Sequence, residues 1–311
     1  MSRTEQLRAL LESPRLDFLV EAHNGLSARI VEEAGFRGIW AGSLALSTQF
    51  GLRDCNEASM TQVIDMLEHM ADATHLPILL DGDTGYGDFN SVRRLVRKLE
   101  QRGIAGVCIE DKIFPKSNSL LEGATHALAD IDEFCGKLKA GKDSQRDPSF
   151  CIVARVEALI AGAGLDEALR RAEAYRKAGA DAILIHSRQT VADEVMAFAR
   201  EWACRSPLIV VPTRYPQTPT DAFRAAGINV VVWANPMVRA CTAAMQHVAR
   251  ELHAKESLLA VEEHLASIEE IFRLQRVDEL SAARARYTRP AEAAHERPTS
   301  RPQDPAVVPL A

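Results

Sequence analysis

Eight short apolar segments alternate with longer segments of helical spacing along this chain, and this alternation limits its fold more than any other feature. The strand-like segments cover residues 18–20, 38–40, 77–80, 106–109, 151–154, 182–185, 208–211 and 230–233. Glycines at 35, 103, 179 and 227 follow helical segments, as expected at helix ends. Strands that alternate with helices pair in parallel through right-handed crossovers. Eight such units favour an α/β fold of the (β/α)8 TIM-barrel type over an open doubly wound sheet, which stays the alternative.

The region after the eighth unit carries a different pattern. Apolar residues recur at 258, 261, 265, 268 and 272, the spacing of one amphipathic helix that packs on its own barrel or on a partner subunit. From Pro290 onward the chain is rich in proline and poor in large apolar residues, which predicts disorder. We therefore expect one barrel domain with a C-terminal helical extension over residues 1–288, and a disordered tail over 289–311.

The net charge and the cysteines limit the kinds of binding partner and the cellular compartment that can be expected. A formal net charge of −6 argues against a nucleic-acid or anionic-membrane binder. No apolar run is long enough to span a bilayer, and the first residues lack the apolar core of a secretion signal. The six cysteines form no CxxC pair or Cys/His cluster, so neither zinc nor disulfides are indicated. We expect a cytoplasmic protein whose thiols are reduced and mostly buried.

The segment DGDTGYGD, which starts at Asp81, follows the third predicted strand directly. Alternate residues of a strand face the same way, so Asp81 and Asp83 are expected to converge. Two carboxylates held close together need a cation or a proton between them. A simple polar turn is the commoner fate of an Asp-Gly pair, and a calcium loop of the EF-hand type does not fit because Tyr86 stands at its glycine position.

Further polar residues follow the next three strands, and in a barrel the strand ends meet at one mouth. Glu110 adds a third carboxylate, which favours a hard cation such as Mg2+. Arg155 and His186 can donate to an anion, although an ion pair of Arg155 with Glu157 and a core histidine are the simpler interpretations of each alone. The polar loop from residue 111 to residue 123 is long enough to be a lid.

These residues belong to a recognisable pattern. The stretch DGDTGYGDFNSVRRLVRKLEQRGIAGVCIEDKIFPKSNSLLEG, followed by CIVARVEALIAG and DAILIHS, closely resembles the phosphoenolpyruvate mutase family of the isocitrate lyase superfamily. The likeness runs from about EAHNGLSARIVEEAGF to FRLQRVDEL. It implies a (β/α)8 barrel, Mg2+ as cofactor, and interconversion of the small molecules phosphoenolpyruvate and phosphonopyruvate. It also implies a homotetramer, a dimer of dimers in which a C-terminal helix is swapped between barrels.

The resemblance also implies roles for individual residues. Asp81 is expected to bind Mg2+ directly, and Asp83 and Glu110, with Asp54, through its waters. The expected catalytic residues are Asp54, Lys116, Asn118, Arg155 and His186. The expected substrate contacts are Trp40, Ser43, Leu44 and Ser119, although Trp40 taken alone is most simply a core residue.

Three alternatives remain at this stage. Carbon–carbon lyases of the superfamily carry a cysteine in the loop after strand four, which DKIFPKSNS lacks. Phosphonopyruvate hydrolase tends to have threonine where this chain has Asn118. A barrel that lost activity and serves as a scaffold would not be expected to keep the whole polar set. The chain also departs from the family by reading Gly42-Ser43 where Ser-Gly is usual, and a positive φ there would strain Ser43.

Overall fold

The computed structural model describes residues 1–288 apart from 122, 124 and 125. Eight strands pair in parallel, each with the next and the last with the first, and close into a barrel. They are β1 Asp17–Glu21, β2 Ile39–Ala41, β3 Ile78–Asp81, β4 Gly106–Glu110, β5 Cys151–Val156, β6 Ala182–Ile185, β7 Leu208–Val210 and β8 Val230–Trp233. The predicted (β/α)8 barrel is confirmed, and each predicted strand falls within or beside an observed one.

Helices connect the strands and surround the barrel. Those of residues 1–256 are α1 Arg3–Leu11, α2 Gly25–Glu33, α3 Ser43–Gln49, α4 Met60–Ala73, α5 Phe89–Gln101, α6 Ile131–Lys142, α7 Gly164–Lys177, α8 Asp193–Trp202, α9 Thr220–Ala225 and α10 Pro236–Lys255. Asp88, the last residue of DGDTGYGD, accepts hydrogen bonds from the amides of Asn90 and Ser91 and so begins α5. The four glycines expected at helix ends all adopt positive φ.

The core has two layers. One cluster takes a buried side chain from each of the eight strands and fills the barrel, as Leu19, Leu79 and Leu184 do. Leu7, Leu10 and Leu11 of α1 belong to the same cluster, so α1 packs onto the barrel interior. The second cluster lies between the strands and the surrounding helices. The interior is thus filled by side chains, and in barrels of this type the ligand site lies at the carboxyl ends of the strands.

Residues 257–288 belong to a second compact unit. It contains 3-10 turns at Leu258–Ala260 and Glu262–His264, followed by α11 Ile268–Leu274 and α12 Val277–Tyr287. The expectation of one continuous helix through residues 258–272 is therefore wrong. Leu265 is extended and the hydroxyl of Ser267 accepts from the amide of Glu270, so a new helix begins there. The predicted disordered tail, 289–311, lies outside the described residues.

The cysteines are free thiols in this structure. Cys108, Cys135 and Cys151 are buried, whereas Cys204 and Cys241 are exposed, so the expectation of mostly buried thiols holds for half of them. Among the described residues, no helix combines the length and apolarity needed to cross a membrane.

Candidate active site

A cleft opens at the carboxyl ends of the strands. It is lined by Trp40, Gly42, Ser43, Leu44, Asp54, Asp81, Lys116, Asn118, Ser119, Leu120, Arg155, His186, Val211, Thr213, Ala234 and Asn235. This set includes ten of the twelve residues predicted from the sequence. The other two, Asp83 and Glu110, are buried and contact cleft residues: Asp83 pairs with Lys116, and Glu110 with Arg155. The structure therefore brings the whole predicted set together.

Asp81 and Asp83 converge for a reason that differs from the one expected. Asp81 is the last residue of β3, and Asp83 has a φ of 51°, so it belongs to a turn and not to a strand. The carbonyl of Asp83 accepts from the amide of Glu110 at 2.7 Å, which ties the turn to β4. A Cβ at Gly82 would lie 2.6 Å from a methyl group of Val107. The glycine is needed because the turn runs directly against β4.

The acidic half of the cleft comprises Asp54, Asp81, Asp83 and Glu110, with the ammonium of Lys116 among them. The Lys116 Nζ lies 2.6 Å from Asp83 Oδ1 and 2.9 Å from Asp54 Oδ1, and it donates to the Ser43 hydroxyl at 2.8 Å. Burial raises the pKa of Asp83 to about 6, helped by the charges of Asp81 and Asp54. Burial acts on Asp54 as well, but Lys116 and hydrogen bonds outweigh it and lower its pKa.

Glu110 has the least satisfied carboxylate of this half. Both of its oxygens are buried and accept no hydrogen bond from the described residues. Burial, with the nearby Glu157 charge, raises the pKa of Glu110 to about 7 against the influence of Arg155 and Lys112. Buried oxygens without partners are costly, and a cation or a bound water would satisfy them. Within the described part of the chain, however, no three His, Cys, Asp or Glu side chains converge closely enough to bind one ion directly.

The basic half comprises Arg155 and His186, held by Glu157, Ser119 and Lys112. Glu157 Oε1 lies 2.5 Å from Arg155 Nε and 3.0 Å from His186 Nδ1. Arg155 also donates to Ser119 at 3.0 Å and lies 2.8 Å from His186 Nδ1. Arg155, the contact with His186 and the nearby Lys112 lower the pKa of Glu157 well below its usual value despite burial. Burial and the Arg155 charge lower the pKa of His186, so the ring is held neutral. The anticipated ion pair of Arg155 with Glu157 exists, inside the site.

The segment after β2 forms without strain. Gly42 precedes α3 with a φ of −75°, and Ser43 is its first helical residue and is absent from the positive-φ residues. A Cβ at Gly42 would lie 2.9 Å from the Trp40 indole nitrogen, which explains the glycine there. The first amides of a helix have no intrahelical partner. The Gly42-Ser43 order is therefore compatible with amides that face the cleft.

The loop after β4 lies against the acidic half. Asn118 donates from its amide nitrogen to Asp54 Oδ2 at 2.5 Å. The backbone amide of Lys116 donates to the side chain of Asn56 at 2.8 Å, and Asn56 donates to Asp83 at the same distance. The sequence reasoning missed Asn56, which gives no signal apart from its place two residues after Asp54.

Fold and site together define a (β/α)8-barrel enzyme whose centre joins a carboxylate cluster to an arginine and a histidine. The family model described as phosphoenolpyruvate phosphomutase matches residues 7–253, and the chain belongs to this family. A phosphoenolpyruvate phosphomutase from Tetrahymena pyriformis is 58% identical over 92% of this chain and 95% of its own length. The expected family is confirmed.

Two solved structures are also similar. The crystal structure of phosphoenolpyruvate phosphomutase from Streptomyces platensis subsp. rosaceus has a TM-score of 0.89 and 44% identity, and the match covers 92% of this chain and 99% of that one. A crystal structure of phosphonopyruvate hydrolase in complex with oxalate and Mg2+ has a TM-score of 0.87 and 39% identity, covering 93% and 100%. Proteins with either of these two names therefore share the fold of this chain.

Proposed function

We propose that the protein interconverts phosphoenolpyruvate and phosphonopyruvate by moving a phosphoryl group between the enol oxygen and C3. The observation that carries this proposal is the loop residue Asn118, which hydrogen-bonds to Asp54 inside the cleft. Asparagine at this position is the form expected of a mutase. The higher identity to the Tetrahymena mutase than to the hydrolase, 58% against 39%, supports the same choice.

We propose Mg2+ as the cofactor, held directly by Asp81 and through its waters by Asp54, Asp83 and Glu110. The oxygen-rich donor set suits a hard cation that keeps much of its water shell. The partnerless oxygens of Glu110 and the absence of a three-ligand cluster among the described residues fit one direct ligand with several outer ones. When bound, the ion supplies positive charge that stabilises an enolate.

Arg155 and His186 would hold the phosphoryl group during transfer. A loose, metaphosphate-like transition state spreads charge over three oxygens, so positioned donors matter more than a strong nucleophile. Arg155 keeps its full charge because the surrounding carboxylates raise its pKa well above the usual value. His186 Nδ1 lies 2.8 Å from the Arg155 guanidinium and 3.0 Å from Glu157 Oε1, and these two contacts fix the orientation of the ring beside the cleft. Trp40, Leu44 and Ser119 would complete the substrate contacts.

Water must be kept from the phosphoryl group, since its capture would release phosphate. The loop residues Lys116 and Asn118 both contact Asp54. Asp54 would lie against the migrating group, and the loop would cover it. A less firmly held loop would admit water and turn the reaction toward hydrolysis.

Phosphorus NMR of the purified protein with phosphonopyruvate and Mg2+ tests this function. A phosphoenolpyruvate signal is expected. Free phosphate as the main product would overturn the mutase assignment in favour of a hydrolase. No change with Mg2+ present would instead favour a barrel that binds without turnover.

We also propose the helix-swapped homotetramer as the assembly. Trp233 at the end of β8 is 38% exposed and stacks on Phe18 at 4.9 Å, with Phe36 edge-on at 6.0 Å. Of the twenty residues of α10, all of them described, Val238 alone is buried. An uncovered aromatic face of this kind suits a helix from a partner. Analytical ultracentrifugation should give four times the chain mass, and Trp233→Ser should lower it. The cytoplasmic location stays a prediction.

A further inference from the structure

Lys112, two residues after the end of β4, is one of the most deeply buried charged residues of the barrel. Its side chain is 2% exposed. The ammonium lies 3.0 Å from Glu157 Oε2, and it donates to the Ser117 carbonyl at 3.0 Å and to the Ser119 hydroxyl at 2.5 Å. An ammonium has three N–H donors, and these contacts use all of them. Lys112 therefore joins a fixed strand end to two residues of the loop.

The register of the barrel accounts for the fixed side of this contact. Glu110 pairs with Arg155 across β4 and β5, so two residues further along Lys112 comes opposite Glu157. The end of β4 thus carries Glu-x-Lys and the end of β5 carries Arg-x-Glu. Each residue of the first pair faces a residue of opposite charge in the second. The Arg155–Glu110 pair measures 3.5 Å and the Lys112–Glu157 pair 3.0 Å. The ammonium has a partner on the barrel wherever the loop lies.

The loop side of the contact is different, because it exists only in the observed loop position. A buried ammonium is stable only when its donors are satisfied. If residues 117–119 moved away, two of the three donors of Lys112 would lose their protein partners. The Ser119 hydroxyl would also lose Glu157, to which it donates at 2.6 Å. The buried pair therefore favours the loop in its observed place.

Asn118 lies between the two serines that Lys112 holds. Its side chain donates to Asp54 and accepts a hydrogen bond from the amide of Leu120 at 2.8 Å. Fixing the residues on either side limits the positions that its amide can take. We propose that Lys112 is a positioning residue. Together with Glu157 at the end of β5, it holds loop residues 117–119 in place beside the cleft. The contribution of Lys112 to catalysis depends on the proposed function, whereas its effect on the position of the loop does not depend on it.

The test is amide hydrogen exchange of the full-length protein without substrate, with Lys112→Met as the main variant. Methionine keeps the length of the side chain and removes every donor. Exchange of residues 113–121 should accelerate about tenfold or more, whereas β4 and β5 should exchange as in wild type. Lys139→Met, on the exposed face of α6, is the matched control and should change neither. Ser119→Ala removes only the hydroxyl and should accelerate the same segment to a smaller degree.

Two results would overturn the proposal. Unchanged exchange of residues 113–121 in both variants would mean that the contact does not hold the loop. Faster exchange throughout the barrel in both would mean that Lys112 and Ser119 serve the fold as a whole. With phosphonopyruvate and Mg2+, Lys112→Met should also raise the share released as phosphate several-fold over wild type. If wild type makes no phosphoenolpyruvate, the function proposal fails, and the exchange result still decides the role of Lys112.

Discussion

The two halves of the cleft bury charges to a similar depth but satisfy them differently. In the basic half, Glu157 alone is shared by two cations, a histidine and a hydroxyl. In the acidic half, both oxygens of Glu110 accept no hydrogen bond from the described residues. One oxygen each of Asp54 and Asp83 has only the ammonium of Lys116, at 2.9 and 2.6 Å.

The pKa directions follow this division with one exception. Burial raises the pKa of Asp83 to about 6 and that of Glu110 to about 7, so these two carboxylates resist ionisation, whereas the pKa of Asp54 is lowered by Lys116 despite burial. The pKa of Glu157 is far below normal, so the basic half favours its charge. The basic half is complete without a ligand, whereas the acidic half is suited to receive a cation. We expect substitutions in the two halves to separate activity from stability.

The largest effect is expected for Asp81→Ala. Loss of the direct metal ligand should lower turnover by about 10³-fold or more, because metal stabilisation of transition-state charge amounts to several kcal/mol. The fold should stay intact, since one member of a like-charge cluster is removed. Turnover against Mg2+ concentration, together with a thermal melt, measures both. Asp65→Ala, exposed on α4, is the control. Near-normal turnover with unchanged Mg2+ affinity would remove Asp81 from the metal site.

Glu157→Gln should show the opposite pattern, with a large loss of stability. It leaves Arg155 and Lys112 buried without their shared carboxylate, and breaking such a pair costs about 3–5 kcal/mol. Urea unfolding measures the change. Glu173→Gln, which breaks exposed ion pairs with Arg176 and Lys177, should cost less than about 1 kcal/mol. If Asp81→Ala and Glu157→Gln destabilise the protein equally, the contrast between the halves is wrong.

The sequence predicted the strands well because each is a short apolar run bounded by turn residues. It also predicted that Asp81, Glu110, Arg155 and His186 would meet, because strand ends share one mouth. Asp83 was placed correctly for the wrong reason, since a left-handed turn brings it there and not strand alternation. The periodicity of apolar residues in a sequence does not reveal the φ angle of a single residue such as Asp83.

Elsewhere local chemistry overrode the periodic pattern. The spacing from residue 258 to residue 272 suits one helix, yet the hydroxyl of Ser267 starts a new one. The pairing of Lys112 with Glu157 was not predicted, because the two residues are 45 positions apart and follow different strands. The sequence did contain a signal for this pairing, namely Glu-x-Lys at the end of one strand and Arg-x-Glu at the end of the next. To use it, one must know which residues of β4 and β5 lie opposite each other, and the sequence does not supply this register.

Asn118→Ala should have the next largest effect, and it acts where the loop meets the acidic half. One donor is lost, so mutase turnover should fall by about 10²-fold, the usual effect of removing one oxyanion donor. Asn118→Thr should keep more of the rate but raise the share of free phosphate, because the shorter hydroxyl seals the site less well. Both are read by phosphorus NMR. A wild-type rate and product ratio in Asn118→Ala would contradict the role of the loop.

The smallest effect concerns the pH dependence of stability. The pKa of His186 is lowered by burial and by Arg155, against the opposing charge of Glu157. Below pH 6.5 the unfolded chain therefore takes up a proton that the folded protein refuses, and stability falls as pH falls. Asp83 and Glu110, with raised pKa values, act in the opposite direction: their contribution falls as pH rises toward 6 and 7. In the wild type the two trends partly cancel between about pH 4.5 and 6.5.

His186→Gln removes one trend and leaves the other. The difference in unfolding free energy between wild type and variant should shrink as pH falls from 7 to 5, with a slope below about 1.4 kcal/mol per pH unit, the limit for one proton. Urea midpoints at several pH values, without added Mg2+, give this difference directly. A curve for His186→Gln that runs parallel to wild type would mean that the folded protein does not oppose protonation of this ring. The contrast between the halves would then rest on their hydrogen bonds and on the low pKa of Glu157.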